Sequence, residues 1–384
     1  MHYGFISTQY LPTAGGVERY TWNLARRLAA QGHHVTVVTS ALHGLPAHEI
    51  DADGIEIYRL PSFPVMHGRL PVIRKNAQFR TLAAQLWADR FDFCVINTYF
   101  YPLCLYAARQ TKRRGIPAIC VNHGSAWLMT GNPILAWAGR VYERCAAGYL
   151  QKNCGRFYGV SQAACEWLST FGLSAKGILT NAVDPAEVRQ TAALGEPNWR
   201  SRLGLSADAP LIAFVGRMIP EKGVDTLAGA LPEIRRAVPG AALVLAGGGP
   251  MLADIRGRGT EGLFAVGELA YADSLSLLAQ ADVFCLPTRS EGFACTVLEA
   301  AALRCPIITT ATGGSPQLLQ NEQYGLLLPD RTPEKTAAAC IRALQNPAWR
   351  RNAAENTAKQ LEENYTWNRA VAALEAICKG GKTT

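Results

Sequence analysis

Short apolar runs alternate along this chain with longer stretches in which apolar positions recur every three or four residues. In the first half the runs are Tyr3–Ile6, Val35–Thr39, Ile55–Tyr58, Phe93–Ile96, Ala118–Asn122 and Phe157–Val160. In the second they are Leu211–Val215, Leu243–Ala246, Leu263–Val266, Val283–Leu286 and Ile307–Thr310. The runs read as buried strands and most of the stretches between them as helices, the signature of a doubly wound parallel α/β sheet. The turn Asn181–Pro185 separates the two sets. This predicts one domain over 1–184 and a second over 185–365, with Glu187–Ala207 as a polar helical bridge. A helical pattern from Thr332 to Glu362 follows, then a shorter helix after Thr366. Lys379–Thr384 reads as a loose end.

The most informative stretch is Ser290–Thr310, SEGFACTVLEAAALRCPIITT. It follows the strand Val283–Leu286, carries helical spacing at Val297, Leu298, Ala301 and Ala302, and ends on the strand Ile307–Thr310. Such a unit delivers Glu291 to the carboxyl end of a strand, where ligands bind in parallel sheets. The helix start offers backbone N–H groups and a positive dipole end to a phosphate. Glu299 follows about two turns into the helix. Two carboxylates flanking an anion site suit a ligand with hydroxyls at both ends and phosphate in the middle, the shape of a sugar nucleotide.

Other loops at strand ends carry compatible chemistry. Gly15-Gly16 opens a helix after the first strand, which suits close approach to a phosphate or a tight turn of positive φ. His123 stands at the end of Ala118–Asn122. Arg217 and Lys222 follow Leu211–Val215 among glycines, a guanidinium fork and an ammonium suited to a diphosphate. Gly247-Gly248-Gly249 reads as a strand–helix turn. The segment Arg69–Arg90 reads as a basic amphipathic helix, packed or lying on a membrane surface. Arg109, Lys112, Arg113 and Arg114 form a second basic cluster at a helix end.

At 384 residues, 49% hydrophobic and 18% charged, the chain has the makeup of a folded protein with sizeable cores. Its formal charge of +8 lies in the first half: residues 1–184 hold 18 Lys and Arg against 10 Asp and Glu, and the remainder is balanced. An anionic membrane leaflet or a phosphate-bearing acceptor would suit that bias. No nucleic-acid motif accompanies it. Eleven cysteines without a C-x-x-C pair read as buried reduced thiols. Phe91–Tyr106, the nearest approach to a membrane span, is interrupted by Asp92 and Asn97. The chain opens directly on a strand without a leader pattern, so a cytoplasmic setting is expected, at or near the inner face of the membrane. No D-x-D or histidine cluster is evident at metal-ligand spacing.

Glu291 and Glu299 resemble the E-x7-E motif of retaining GT-B glycosyltransferases, family 4 in particular. The segment Pro12–Arg19 with Leu24, Ala25, Leu28 and Gly32–Val35 resembles that family's opening pattern. Gly216-Arg217 and Lys222-Gly223 match its G-R…K-G signature. Ala182 stands where the family usually has glycine, and Gln317 where it often has glutamate. The resemblance covers nearly the whole chain and implies two Rossmann-like domains facing across a cleft, with helix 366–380 packed back on the first.

It also implies roles. Gly15, Gly16, Arg217 and Lys222 would hold the donor diphosphate. Glu299 would take the ribose hydroxyls. Glu291, with backbone N–H groups of Phe293 and Ala294, would grip the donor sugar. The backbone at Val266 would meet the base. His123 would lie against the sugar near the reacting centre. The implied reaction transfers a hexose or N-acetylhexosamine from a UDP- or GDP-sugar to a glycan or lipid-linked hydroxyl, in bacterial surface polysaccharide synthesis, with no cofactor and no metal. The leaving phosphate would assist the incoming hydroxyl on the same face. The enzymatic rival is a sugar-nucleotide epimerase of the same build. A nicotinamide oxidoreductase lacks its glycine fingerprint here, and a two-domain solute-binding protein lacks its export signal.

Overall fold

The computed structural model describes residues 1–13, 15–41, 44–66, 68, 70–127 and 132–380. Ala14, Arg69 and residues 381–384, which enter the readings above, lie outside the described residues. The chain divides into two compact units, Met1–Asn181 with Trp367–Thr384, and Ala182–Thr366. The first unit ends at Asn181, the first residue of the Asn181–Pro185 turn, where the sequence predicts a boundary after Asp184.

The first unit is built on strands His2–Ile6 (β1), His34–Ala41 (β2), His48–Ile50 (β3), Glu56–Val65 (β4), Leu70–Ile73 (β5), Phe93–Asn97 (β6), Ala118–Asn122 (β7), Phe157–Gly159 (β8) and Ala175–Ile178 (β9). Their order is β3-β4-β2-β1-β6-β7-β8-β9, with β5 paired to β4. All pairings are parallel except β3 and β5 on β4. The central strands are buried along nearly their whole length, as expected of a sheet covered on both faces. The helices are Gly16–Ala30 (α1), Ala77–Leu86 (α2), Pro102–Arg113 (α3), Pro133–Asn153 (α4) and Gln162–Ser169 (α5).

Helix α1 buries Tyr20, Thr21, Leu24, Ala25 and Leu28. The last helix of the chain, Trp367–Cys378, belongs to this unit. Its Trp367 ring lies 5.9 Å from that of Tyr20 and under the Arg27 guanidinium at 5.6 Å.

The stretch beginning at Leu70 departs from the expectation of one basic helix over Arg69–Arg90. Leu70–Ile73 pairs antiparallel with Ser62–Val65, and Pro71 suits such an edge strand better than a helix interior. The helix that follows starts at Ala77, capped by Asn76, whose side chain accepts from the Phe79 N–H. It turns Phe79, Leu82 and Leu86 into the core, so its apolar face is packed.

The second unit begins with Pro185–Ala192 (α6) and Trp199–Arg202 (α7). The expected polar bridge is thus part of this unit, because Trp199 within it is fully buried. The sheet follows: Leu211–Val215 (β10), Ala242–Ala246 (β11), Leu263–Gly267 (β12), Val283–Leu286 (β13), Ile307–Thr310 (β14) and Leu326–Leu328 (β15). Its order is β12-β11-β10-β13-β14-β15, parallel throughout. Between the strands run Val224–Ala237 (α8), Leu252–Gly257 (α9), Tyr271–Gln280 (α10), Cys295–Ala302 (α11) and Ser315–Leu318 (α12).

The expected single helix over Thr332–Glu362 is two, Pro333–Leu344 (α13) and Pro347–Asn364 (α14), with Trp367–Cys378 as α15. Pro347 cannot continue a helix but fits a first turn. Asn346 caps that turn by accepting from the Trp349 N–H at 2.9 Å. At the unit's two chain crossings, Val183 bridges in parallel to Thr366 and its N–H donates to the Tyr365 carbonyl at 3.0 Å.

Trp199 anchors the start of the second unit. Its backbone N–H donates to the Gln280 side-chain oxygen at 2.8 Å and Arg202 stacks on its ring at 4.9 Å. Trp199→Ala is expected to lower stability by about 3–5 kcal/mol, as for other buried large-to-small changes. Urea unfolding with a probe in the second unit measures this.

Candidate functional site

In the second sheet β10 lies between β11 and β13, so strand order reverses at the β10/β13 pair. The loops leaving these two strands therefore open at the switch point, the usual ligand position in such sheets. Arg217 is exposed at the start of the β10 loop. A 3-10 turn, Pro220–Lys222, and then Gly223 at φ +72° lead into α8. A β-carbon at Gly223 would stand 2.1 Å from the Pro287 carbonyl oxygen, so only glycine lets the two loops meet.

They are joined further. The Arg289 N–H and the Thr288 hydroxyl both donate to the Glu221 carbonyl, at 2.7 and 3.1 Å. Arg331 donates to the carbonyls of both Pro287 and Pro220, at 2.9 and 3.0 Å. Across this junction the Lys222 ammonium pairs with Glu291. The Thr288 hydroxyl lies 3.3 Å from the same Glu291 oxygen.

Glu291 leads into Phe293 and Ala294, both buried, and Ala294 is the N-cap of α11 without a side-chain cap. A helix start turns its positive dipole end toward an anion. The loop is backed by Gly313 and Gly314. A β-carbon on Gly313 would come within 2.5 Å of the Gly292 carbonyl oxygen, and one on Gly314 within 2.3 Å of the Phe293 ring. Glu299, in the second turn of α11, is buried and accepts the Tyr271 hydroxyl at 2.9 Å. Val266 lies two strands away, on the sheet-edge strand β12. Pairing with β11 passes from Ala265 to Gly267 and leaves Val266 as the extra residue of a bulge. Gly247–Gly249 forms a turn packed on the Gly216–Met218 segment, and the Met218 N–H donates to the Gly248 carbonyl at 2.8 Å.

In the first unit the order reverses between β1 and β6, and the glycine pair and His123 occupy loops around that point. Gly15 is the N-cap of α1, in extended conformation, so the positive-φ turn offered as one reason for the glycines does not occur. A β-carbon there would instead displace the Glu18 carboxylate, 2.1 Å away. Gly16 is the first residue of the helix.

His123 is held by a chain of hydrogen bonds whose directions follow from donor inventory. The Val17 carbonyl can only accept, so the Thr21 hydroxyl donates to it at 2.7 Å. Thr21 Oγ1 then accepts from Asn97 Nδ2 at 2.9 Å. That leaves Asn97 Oδ1 to accept from His123 Nε2 at 2.9 Å. The imidazole is thereby the Nε2–H tautomer, with Nδ1 free of a proton. Its ring meets Tyr20 edge-on at 4.7 Å. Thr98, next to Asn97, is held at φ +76°, a strained conformation for a β-branched residue.

Burial lowers the His123 pKa from 6.5 to about 3. The folded value lies below the unfolded one, so the unfolded chain takes up the proton first. The resulting destabilisation is absent above about pH 6.5 and grows as pH falls toward 3. Side-chain 15N spectra are expected to show His123 neutral and Nε2-protonated from about pH 5 to 8. Asn97→Ala is expected to abolish the tautomer preference.

The structure thus joins Lys222 to Glu291, with Arg217, Phe293 and Ala294 on the same two loops and Glu299 in the helix that follows. Gly15, Gly16 and His123 gather around α1. Sequence reading missed Tyr271, Thr288, Arg331, Asn97 and Thr21. It also saw no histidine cluster, whereas ligand atoms of His2, His34 and Glu56 lie within 4.8 Å of one another. The in-register pairing His2↔His34 on adjacent strands brings the rings together, which linear spacing cannot reveal. The cluster lies at the amino ends of the strands. Hydrogen bonds already engage it: Glu56 accepts from Thr36 at 3.0 Å and pairs with His48 at 2.8 Å.

Residues 14–187 match the family model described as Glycosyltransferase Family 4, and residues 209–346 that described as Glycosyl transferases group 1. The chain is 30% identical to a GDP-mannose-dependent alpha-(1-6)-phosphatidylinositol monomannoside mannosyltransferase of Mycobacterium tuberculosis, over 88% of each chain. It is 31% identical to glycogen synthase of the same species, over 98% of this chain and 94% of that one. Among solved structures, sucrose-phosphate synthase from Thermosynechococcus elongatus superposes with a TM-score of 0.78 at 21% identity, covering 99% and 98% of the two chains. Anabaena HepE in complex with UDP gives 0.78 at 16% identity, covering 99% and 100%. The fold is the GT-B fold of glycosyltransferases. With paired sequence matches in both units and relatives aligned over nearly their full length, this chain belongs to glycosyltransferase family 4 and is an enzyme that takes its sugar from a nucleotide donor.

Proposed function

We propose that this enzyme transfers a hexose, with mannose from GDP-mannose as the first candidate, to a hydroxyl of a lipid-linked or glycan acceptor with retention of anomeric configuration. The observation that carries the reading is the junction at the β10/β13 switch point, where Lys222 and Glu291 meet beside the uncapped start of α11. Two relatives at 30% identity, from Mycobacterium tuberculosis and Corynebacterium glutamicum, are GDP-mannose-dependent enzymes named for phosphatidylinositol mannoside acceptors. They favour GDP-mannose over a UDP-sugar, and a lipid-linked acceptor over a free sugar.

In this reading Arg217 and Lys222 hold the donor diphosphate and stabilise its charge as the glycosidic bond breaks. Gly15 and Gly16 at the start of α1 let backbone approach a phosphate. Glu299, oriented by Tyr271, accepts from the ribose hydroxyls. Glu291 takes a sugar hydroxyl, with the Phe293 and Ala294 N–H groups, and Lys222 turns from Glu291 toward phosphate when the donor arrives. The backbone of the bulge at Val266 meets the base. His123 offers its unprotonated Nδ1 as an acceptor to the sugar. The leaving phosphate assists the incoming hydroxyl on one face of the ring, without a covalent glycosyl-enzyme. The enzyme acts on the cytoplasmic side, at the membrane surface, in cell-surface glycan synthesis. No metal is required. The epimerase alternative draws no support from the family.

A thermal-shift screen of GDP, UDP, GDP-mannose, UDP-glucose and UDP-N-acetylglucosamine is expected to show stabilisation by the guanosine compounds above the others. Stabilisation by uridine compounds alone would move the donor to a UDP-sugar. Glu299→Ala is expected to weaken nucleotide binding about 10-fold or more, the loss of charge-assisted hydrogen bonds. Glu291→Ala is expected to keep nucleotide binding while lowering transfer at least about 100-fold. Unchanged binding and turnover in both variants would overturn the assignment. NMR of the anomeric proton in the product tests retention.

A further inference from the structure

His2, His34 and His48 surround the Glu56 carboxylate where β1, β2 and β4 begin. Sheet register puts them there. The three strands are neighbours in the order β4-β2-β1. His2 pairs in register with His34, and Glu56 with Thr36, two residues past His34. In-register residues and alternate residues of a strand point to the same side of a sheet, so His2, His34 and Glu56 share one face. Their ligand atoms all lie within 4.8 Å of one another. The His2 and His34 rings stack at 4.0 Å, and His34 Nε2 stands 3.5 Å from Glu56 Oε2. That is beyond ordinary hydrogen-bond distance. It is close to the spacing of about 3.4 Å between two ligands of a tetrahedral Zn2+ bonded at about 2.0–2.1 Å.

The groups behind these ligands are already placed. Thr36, which is buried, donates its hydroxyl to Glu56 Oε2 at 3.0 Å and meets His2 Nε2 at 2.8 Å. His48, stacked on Tyr58 at 4.3 Å, meets the other Glu56 oxygen at 2.8 Å. Asp92 accepts the His2 backbone N–H at 2.7 Å. We propose that His2, His34 and Glu56 bind a divalent ion of the zinc class, with Thr36 and His48 orienting the carboxylate and water in the fourth position. Two imidazoles and one carboxylate suit Zn2+ rather than Mg2+ or Ca2+, which take oxygen ligands. The ion ties together the starts of three strands drawn from His2 to Glu56 and so stabilises the first unit. It takes no part in transfer, because His123 follows the carboxyl end of β7. A cluster held by hydrogen bonds alone accounts for Thr36 and His48 but not for the His34 imidazole.

Calorimetric titration of Zn2+ into untagged, metal-stripped full-length protein is expected to show one site. At free Zn2+ about 100-fold above its Kd, the first unit is expected to melt about 5 °C or more higher. Mg2+ at the same concentration is expected to leave melting unchanged. His34→Gln and Glu56→Gln are each expected to weaken Zn2+ binding at least about 100-fold, and His48→Gln about 10-fold. All three are expected to keep wild-type circular dichroism and the wild-type nucleotide-induced thermal shift. In the wild type, Zn2+ is expected to move the side-chain 15N signals of His2 and His34 and leave those of His123 in place, a readout that needs no variant. The proposal is overturned by the absence of one-site binding, or by Zn2+ affinity unchanged in both His34→Gln and Glu56→Gln. It is equally overturned by affinity lost in Cys145→Ser, which would put the ion on that exposed thiol.

Discussion

The second unit's site depends on a backbone contact, Gly223 against the Pro287 carbonyl. Polar groups gather around that contact because it has already brought two loops from adjacent strands together. The Glu221 carbonyl takes two donors from the β13 loop, and Arg331 reaches both loops from beyond β15. Lys222 and Glu291 then meet across a gap whose width is set by main chain. A partly buried ion pair of this kind gains little net stability, since desolvation offsets attraction. Its significance is chemical: a cation and a carboxylate are held ready where a strand pair delivers ligands.

The first unit solves a different problem, the orientation of one imidazole. The helix carbonyl of Val17 sets the direction of a hydroxyl, which sets an amide, which sets the ring. No charge enters that relay. It ends in a neutral histidine whose open nitrogen is determined by a main-chain group four residues upstream of Thr21 in α1. The helix that begins at the glycine pair therefore also fixes the state of His123.

Much of this was legible in the residues. The central strands were, because a parallel sheet buries both faces and leaves unbroken apolar runs such as Leu211–Val215. So was the placement of Glu291 in the loop after β13 and of Glu299 inside α11, because the apolar spacing at Val297, Leu298, Ala301 and Ala302 marks that helix. The short strands β3, β5, β9 and β15 were not. They lie at or near sheet edges or in a hairpin, and are too brief or too mixed in polarity to stand out. Tyr271, Arg331 and Asn97 were not legible either: each acts through a partner distant in sequence, and nothing local marks a tyrosine that will meet Glu299. Trp199 was lost inside a polar stretch, although one large buried ring outweighs many exposed neighbours in deciding where a segment packs.

Helix α15 has a consequence for how the protein is made. Trp367, Ala370, Val371, Leu374 and Ile377 are buried in a unit whose other residues all precede Ala182. During synthesis that unit emerges early yet lacks one of its walls until all of Ala182–Thr366 has been made. A nonsense mutation inside the second unit would therefore damage the domain encoded before it.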